Sequence, residues 1–240
     1  MEIQAKSVQT GAPAMDNLVI EALDLRRTYR VGPHQEVYAL RGVNLQIFAG
    51  ECVAVKGRSG SGKTTMLNCI GGLDRPTAGT VRVFGQELTK LNNKQLTHYH
   101  REQVGFIFQS FGLASTYSAF ENVELMLRIA GAGIMHRRDR ALRCLELVGL
   151  SKWLNHRPNE MSGGQQQRLA IARALANQPR LLLADEPTGK LDTATARDIF
   201  GLFRRIVAEE GVTVLMAAHD PLVDEYADRV LRLKDGNIVD

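Results

Sequence analysis

The chain is poor in the features that mark secreted, metal-stapled or membrane-spanning proteins. Only three of its 240 residues are cysteine: Cys52, Cys69 and Cys144. They are odd in number and widely spaced, with no Cys-x-x-Cys pair and no Cys/His cluster, which argues against a structural zinc site. Such a count suits a reducing compartment. Long apolar runs are missing as well. The longest candidates, Leu181–Ala184 and Val212–Ala218, fall far short of the ~20 residues that cross a bilayer as a helix. Met1 to Asn17 has no apolar core and does not read as a signal peptide. A strong charge of one sign is also absent: 30 Lys and Arg stand against 26 Asp and Glu, a net +4. That mild excess suits phosphate, nucleic acid or an anionic membrane face, or simply a solvated basic surface, and selects none of them.

What is present is ordinary for a globular protein. Hydrophobic residues make up 44% and charged residues 23%, which excludes wholesale disorder, collagen and coiled coil. By length, one to two domains are expected, and a chain this size buries roughly 70–75% of its unfolded surface without staples. Residues 1–17 are polar with scattered small residues and are expected to form a flexible tail. Leu18–Leu25 reads as a strand, Val37–Ile47 as a second apolar stretch, and Glu51–Lys56 as a short β-rich run. A glycine-rich turn follows, then a helix-compatible segment over Lys63–Ile70. Thr80–Phe84 and Gln103–Phe108 read as further strands. Leu181–Ala184 and Thr213–Ala217 have the continuous apolar texture of strands covered on both faces of a parallel sheet. Between Gln109 and Gln165 the texture turns helical. Ser118 to Glu121 is a capping-box pattern before Val123–Ile129, and a second helix is expected over about Arg137–Val148. Asp235-Gly236 reads as a hairpin turn between Val230–Leu233 and Ile238–Val239. One α/β core carrying a helical insertion, with no internal repeat, accounts for this order.

Gly57-Arg58-Ser59-Gly60-Ser61-Gly62-Lys63-Thr64 matches G-x-x-x-x-G-K-[ST] in full. Strand before and helix after are the context this motif requires. Its glycines let backbone N–H groups converge on phosphate oxygens at a helix N-terminus. Lys63 would reach the β- and γ-phosphates and Thr64 would ligate Mg²⁺; a glycine-rich turn that binds nothing is the plain alternative. Leu181–Ala184 ends in Asp185 and Glu186. Paired acids after a strand are usually surface caps, yet an Asp at a strand tip can hold Mg²⁺ and a neighbouring Glu can polarise a water. The phosphate loop upstream favours the second reading. His219 follows an apolar strand, where it could sense a γ-phosphate or be a packed or surface residue. Gln109, at the start of the helical stretch, could coordinate Mg²⁺ or orient water, or be a plain loop residue.

Met161-Ser162-Gly163-Gly164-Gln165-Gln166-Gln167-Arg168 resembles the LSGGQ signature of ATP-binding cassette ATPases. The order of motifs agrees too: phosphate loop, Gln, signature, Asp-Glu, His. The resemblance covers about Leu18 to Asp240. It implies an α/β fold: a P-loop NTPase (RecA-like) core with a mainly parallel sheet, an N-terminal antiparallel β subdomain and an inserted α-helical subdomain over about 109–168, all within a nucleotide-binding domain over 18–240. It further implies that Tyr29 stacks on adenine, with Tyr38 the runner-up, and that Gly57 to Thr65, including Thr65, hold the phosphates. Thr64, Gln109 and Asp185 would meet Mg²⁺. Glu186 would be the catalytic base, with Lys63, Gln109 and His219 beside it. Ser162, Gly163, Gly164 and Gln165 would bind the ATP of a second copy, since their helix N-terminus is an anion site, and an isologous two-fold dimer makes both sites at once.

Four positions depart from the family pattern. Met161 replaces Leu, a volume-conserving change. Arg58 stands where Pro is common, and Ala218 replaces a Thr or Ser. Lys190, in the interface loop Gly189-Lys190-Leu191-Asp192, stands where a small or polar residue is usual, and the sequence offers no physical reason for its charge. Finer resemblance, in Gly71–Gly79, Val104–Phe111 and Leu183–Gly189, is to the lipoprotein-releasing and macrolide-efflux type of cassette. That implies an integral membrane permease partner, a peripheral place on the cytoplasmic face of the inner or plasma membrane, and cargo handling by another chain. Related cassettes serve antimicrobial-peptide resistance or control cell-wall and cell-division machinery through a membrane partner. A cassette working on nucleic acid would be expected to carry two cassettes, zinc modules or long coiled-coil insertions, which this sequence lacks, so no nucleic-acid partner is expected. A purely regulatory module would be expected to have lost its Glu, Lys or His; all three are present.

Overall fold

The structure is a computed structural model that describes residues 17–32 and 35–239. The expected tail, apart from Asn17, lies outside the described residues. Two sheets carry the fold. The first is antiparallel, in the order β2-β1-β4-β5. It contains β1 (Leu18–Arg30), β2 (Glu36–Phe48), β4 (Ala78–Val83) and the short β5 (Gln86–Glu87). The second is mainly parallel. It holds β3 (Cys52–Lys56), β6 (Val104–Ile107), β7 (Leu181–Asp185), β8 (Thr213–Ala218), β9 (Arg229–Lys234) and β10 (Asn237–Val239), in the order β10-β9-β3-β8-β7-β6. Only β10 runs antiparallel in it, closing the Asp235-Gly236 hairpin.

Alternation on the parallel strands divides the interior into two cores. Cys52 and Ala54, Leu182 and Ala184, Val214 and Met216 face one side. There they pack on α6 (Thr193–Glu210) through Ile199, Phe200 and Phe203, and the same core extends into α3 (Ala119–Ile129), α4 (Ile134–Leu147) and α5 (Gly163–Ala174). Val53 and Val55, Leu181 and Leu183, Leu215 and Ala217 face the other side. They meet Met66, Leu67, Cys69 and Ile70 of α1 (Lys63–Ile70), the inner face of the antiparallel sheet, and Tyr99 of α2 (Asn93–Glu102). This two-sided burial explains why β3, β7 and β8 read as unbroken apolar runs. It also fixes α1 between the sheets, so the loop leading into it is held at the carboxyl ends of β3 and β7. Burial pushes the three thiols up, Cys52 and Cys69 to about 12 and Cys144 to about 11, so they are inert core residues.

Differences from the sequence expectations have local causes. β1 continues to Arg30 rather than ending near Leu25, because Asp24 adopts a positive φ of 47° and the register with β2 shifts there. That bulge breaks the alternation without ending the strand. α4 starts at Ile134, not Arg137. Helices α2 and α6 add to the expected elements, and each opens on an N-cap, Asn92 and Asp192. The expected capping box at the start of α3 is present, with Ser118 and Glu121 each bonding the other's backbone N–H.

Candidate functional site

The phosphate-loop motif begins where β3 ends. A Cβ on Gly57 would lie 2.3 Å from the Leu233 carbonyl, and one on Gly62, at φ 107°, would lie 2.3 Å from the Ala39 carbonyl. Only glycine fits at either place. Gly60 also has a positive φ, 79°. Arg58, Ser59 and Gly60 are exposed and Ser61 is buried, its Oγ without a hydrogen-bond partner. Lys63, 5% exposed, donates from Nζ to the carbonyls of Gly57 (2.8 Å) and Arg58 (3.3 Å), so the loop curls around its own ammonium. Thr64 and Thr65 lie on the first turn of α1, which carries no acidic side chain there. The helix end is thus left free for an anion.

β7 delivers the acids to the same place. Thr64 Oγ1 donates to Asp185 Oδ1 at 3.1 Å. Burial, and the adjacent Glu186 charge, hold the Asp185 carboxyl above its ordinary 3.8, partly offset by the Thr64 hydrogen bond and Lys63. Glu186 takes a positive φ of 46°, a conformation costing about 1–3 kcal/mol for a non-glycine residue. Its backbone N–H is held by the Ala217 carbonyl at 2.9 Å. The twist turns the carboxylate into the site rather than to the opposite face of the strand. There Oε1 lies 3.6 Å from Lys63 Nζ, while Oε2 accepts from Gln109 Nε2 at 3.0 Å and lies 3.5 Å from His219 Nδ1. The segments that follow β3, β6 and β8 therefore place Lys63, Gln109 and His219 around the Glu186 carboxylate at the end of β7. Such a set can bind a phosphate chain and hold a water beside a base. The oxygens of Thr64 and Asp185 also suit Mg²⁺: their 3.1 Å separation matches the roughly 2.9 Å edge of an octahedron with 2.0–2.1 Å bonds.

The other expected residues lie apart from this cluster. Tyr29 donates its hydroxyl to Asp74 at 2.6 Å, and the Arg27 guanidinium sits 4.4 Å over its ring. Tyr38 donates to Glu36, two residues away, at 2.9 Å. Ser162 caps α5: its Oγ accepts from Gln165 N and the Gln165 side chain accepts from Ser162 N. A Cβ on Gly163 would lie 3.4 Å from Leu191 Cδ2, and one on Gly164 would lie 2.6 Å from Thr195 Cγ2. Met161 is buried in the core, as a leucine would be. The neighbours of the signature are thus the loop 189–192 and the start of α6, not the phosphate loop of the same chain.

One side chain that the sequence did not single out, and one that it left without a reason, complete the picture. Arg173, near the end of α5, donates to the carbonyls of Phe111 and Gly112, both at positive φ, just beyond Gln109. Desolvation lowers its pKa, a sign of how closely it is enclosed. The only sequence hint was a basic residue in the last turn of a helix. Lys190 gains a reason as well: its ammonium lies 5.9 Å from the Phe111 ring centroid, tying loop 189–192 to the segment after Gln109.

Residues 40–189 match the family model described as ABC transporter. The chain belongs to the ABC transporter family. This cassette is 46% identical over 224 residues to an uncharacterized ABC transporter ATP-binding protein of Methanocaldococcus jannaschii, covering 92% of this chain and 95% of that one. It is 45% identical over 221 residues to a lipoprotein-releasing system ATP-binding protein of Rhodopseudomonas palustris, covering 92% and 98%. It is 47% identical over 222 residues to the macrolide export ATP-binding/permease protein of Syntrophobacter fumaroxidans. There the match covers 92% of the cassette but spans only 31% of the relative's length. Among solved structures, a dimeric, post-hydrolysis ATP-binding cassette bound to ADP and Pi superposes with a TM-score of 0.85 at 44% identity, covering 92% and 97% of the two chains. The cassette is therefore an ATP-binding ATPase with the α/β fold of a P-loop NTPase. No helix among its described residues is long and apolar enough to cross a membrane.

Proposed function

We propose that this ATPase is the peripheral engine of a transporter of the lipoprotein-release or macrolide/peptide-efflux type. It would work as an ATP-sandwich dimer on a separate integral membrane permease, at the cytoplasmic face of the membrane. The cassette would span 18–240, with the helical subdomain over about 109–168. The observation that carries the catalytic reading is the convergence of Lys63, Gln109 and His219 on Glu186, beside the Thr64–Asp185 pair. Two dimeric structures of one relative, and a lipoprotein-releasing relative of matching length, support the assembly.

In this reading the backbone N–H groups of residues 57–65 wrap the β- and γ-phosphates. Lys63 exchanges its loop carbonyls for phosphate oxygens. Glu186 accepts a proton from the attacking water at Oε2, while the Gln109 amide and His219 hold that oxygen in line. The water oxygen bonds the γ-phosphorus as the bond to the bridging oxygen breaks, releasing ADP and phosphate. Thr64, Asp185 and Gln109 would hold Mg²⁺, which when bound neutralises charge on the phosphate oxygens. Tyr29 would stack on adenine. Ser162, Gly163, Gly164 and Gln165 would close on the γ-phosphate held by the other copy. Purification from membranes in mild detergent tests the reading. An integral membrane subunit should co-purify, and its cargo should raise the ATPase rate. A cassette recovered alone, with a rate that no membrane fraction alters, would overturn it.

A further inference from the structure

We propose that Asp74 is a positioning residue for nucleotide binding: it tethers Tyr29 so that one face of the ring is ready for the base. The inference rests on the reading above that Tyr29 stacks on adenine. Tyr29 and Arg27 stand two apart on β1 and so share a face of the strand. Asp74 comes from the turn after α1. Its Oδ2 accepts from the Tyr29 hydroxyl at 2.6 Å and from Arg27 Nε at 2.9 Å. Its Oδ1 lies 2.8 Å from the second arm of the Arg27 guanidinium and accepts from the backbone N–H of Arg75 at 2.8 Å. The turn itself is anchored, with Asp74 N–H on the Asn68 carbonyl. The carboxylate is thus saturated with donors and cannot wander.

Its effect on the ring follows. The hydroxyl end is fixed by a short, charge-assisted hydrogen bond. One face lies under the Arg27 guanidinium at 4.4 Å. The opposite face would then be the one that meets the base. Arg27 is paired in register with Leu40, and Leu40 Cδ2 lies 3.1 Å from where a Cβ on Gly62 would sit. The strand that carries the ring thus borders a residue that packs on the phosphate loop. Tyr38 is held more loosely: it is 52% exposed, its hydroxyl meets Glu36 on its own strand at 2.9 Å, and Arg41 lies 5.4 Å over its ring. A ring locked before the ligand arrives loses less freedom on binding than a loose one, which favours affinity for the base-bearing ligand.

The test compares two ligands on the full chain, ATP and inorganic tripolyphosphate, which has the phosphates without the base. Asp74→Ala and Tyr29→Phe should each weaken ATP about tenfold and leave tripolyphosphate within about twofold. The double variant should be no worse than either single change, because both cut one contact. Asp74→Asn, which keeps an acceptor, should recover most of the loss. Parallel weakening of both ligands would mean that Asp74 only supports the fold, and the proposal would fall. It would also fall if Tyr29→Ala weakens ATP while Asp74→Ala and Tyr29→Phe do not, leaving stacking intact and the tether irrelevant. If Tyr29→Ala leaves ATP affinity unchanged, the stacking reading itself fails and takes the tether with it.

Discussion

Glu186 carries three contacts in the site, and its neighbour Asp185 carries a burial cost. Glu186→Gln keeps the shape of the side chain and removes the proton acceptor. It should bind ATP normally, turn over at a rate lower by a factor of ~10² or more, and accumulate ATP-stable dimers on size-exclusion columns. Near-normal turnover would sink the base assignment. At Asp185 the folded-state pKa is raised, so the fold disfavours the ionised form. The penalty is present at neutral pH and vanishes as pH falls below the ordinary 3.8, where folded and unfolded chains are both protonated. Asp185→Asn should therefore raise the melting temperature of the nucleotide-free chain at pH 7, with the gain shrinking toward pH 4, while removing Mg²⁺-dependent hydrolysis. The placement of Asp185 and Glu186 beside the phosphate loop was legible because both acids end an apolar strand downstream of a complete phosphate-loop motif. Asp74 and Arg173 were not readable: each acts on backbone or side chains far along the sequence, and no local pattern records such a contact.

At the scale of elements, the glycines mark where two pieces touch. Gly62→Ala would put a methyl into the Ala39 carbonyl at a positive φ and should abolish nucleotide binding by equilibrium dialysis. Gly164→Ala would press on Thr195, whose Oγ1 is held by Asp192 at 2.6 Å. It should spare ATP binding and lower turnover, by displacing the start of α5. Strands β3, β7 and β8 were legible because both faces are buried, and α1 and α3 because their starts carry strong local signals. The part of β1 beyond Asp24 was hidden by its bulge. Helix α6 has its apolar residues at helical spacing, Ala196, Ile199, Phe200, Phe203 and Ile206, but its first turn carries no acidic residue to mark the start. Helix α2 is polar over most of its length and buries only Tyr99, so no apolar run marks it.

At the scale of the whole molecule, the separation of the signature from its own phosphate loop is what requires a second copy. Ser162→Arg should leave ATP affinity near normal and abolish hydrolysis, measured as phosphate release, because the block lies between chains. Hydrolysis per chain should also fall on dilution; a constant rate at high dilution would refute the sandwich. Arg173 then acquires a further meaning. Helix α5 has 12 residues and is about 18 Å long. One end would press on the partner's nucleotide and the other grips the turn beside its own Gln109. In the proposed dimer it would work as a push-rod, by which each nucleotide would be felt at the opposite catalytic centre. In that arrangement the two sites would be cross-wired through two such rods. Hydrolysis should rise with ATP more steeply than simple saturation allows, and Arg173→Ala, with the rods unhooked, should flatten that curve into two independent sites.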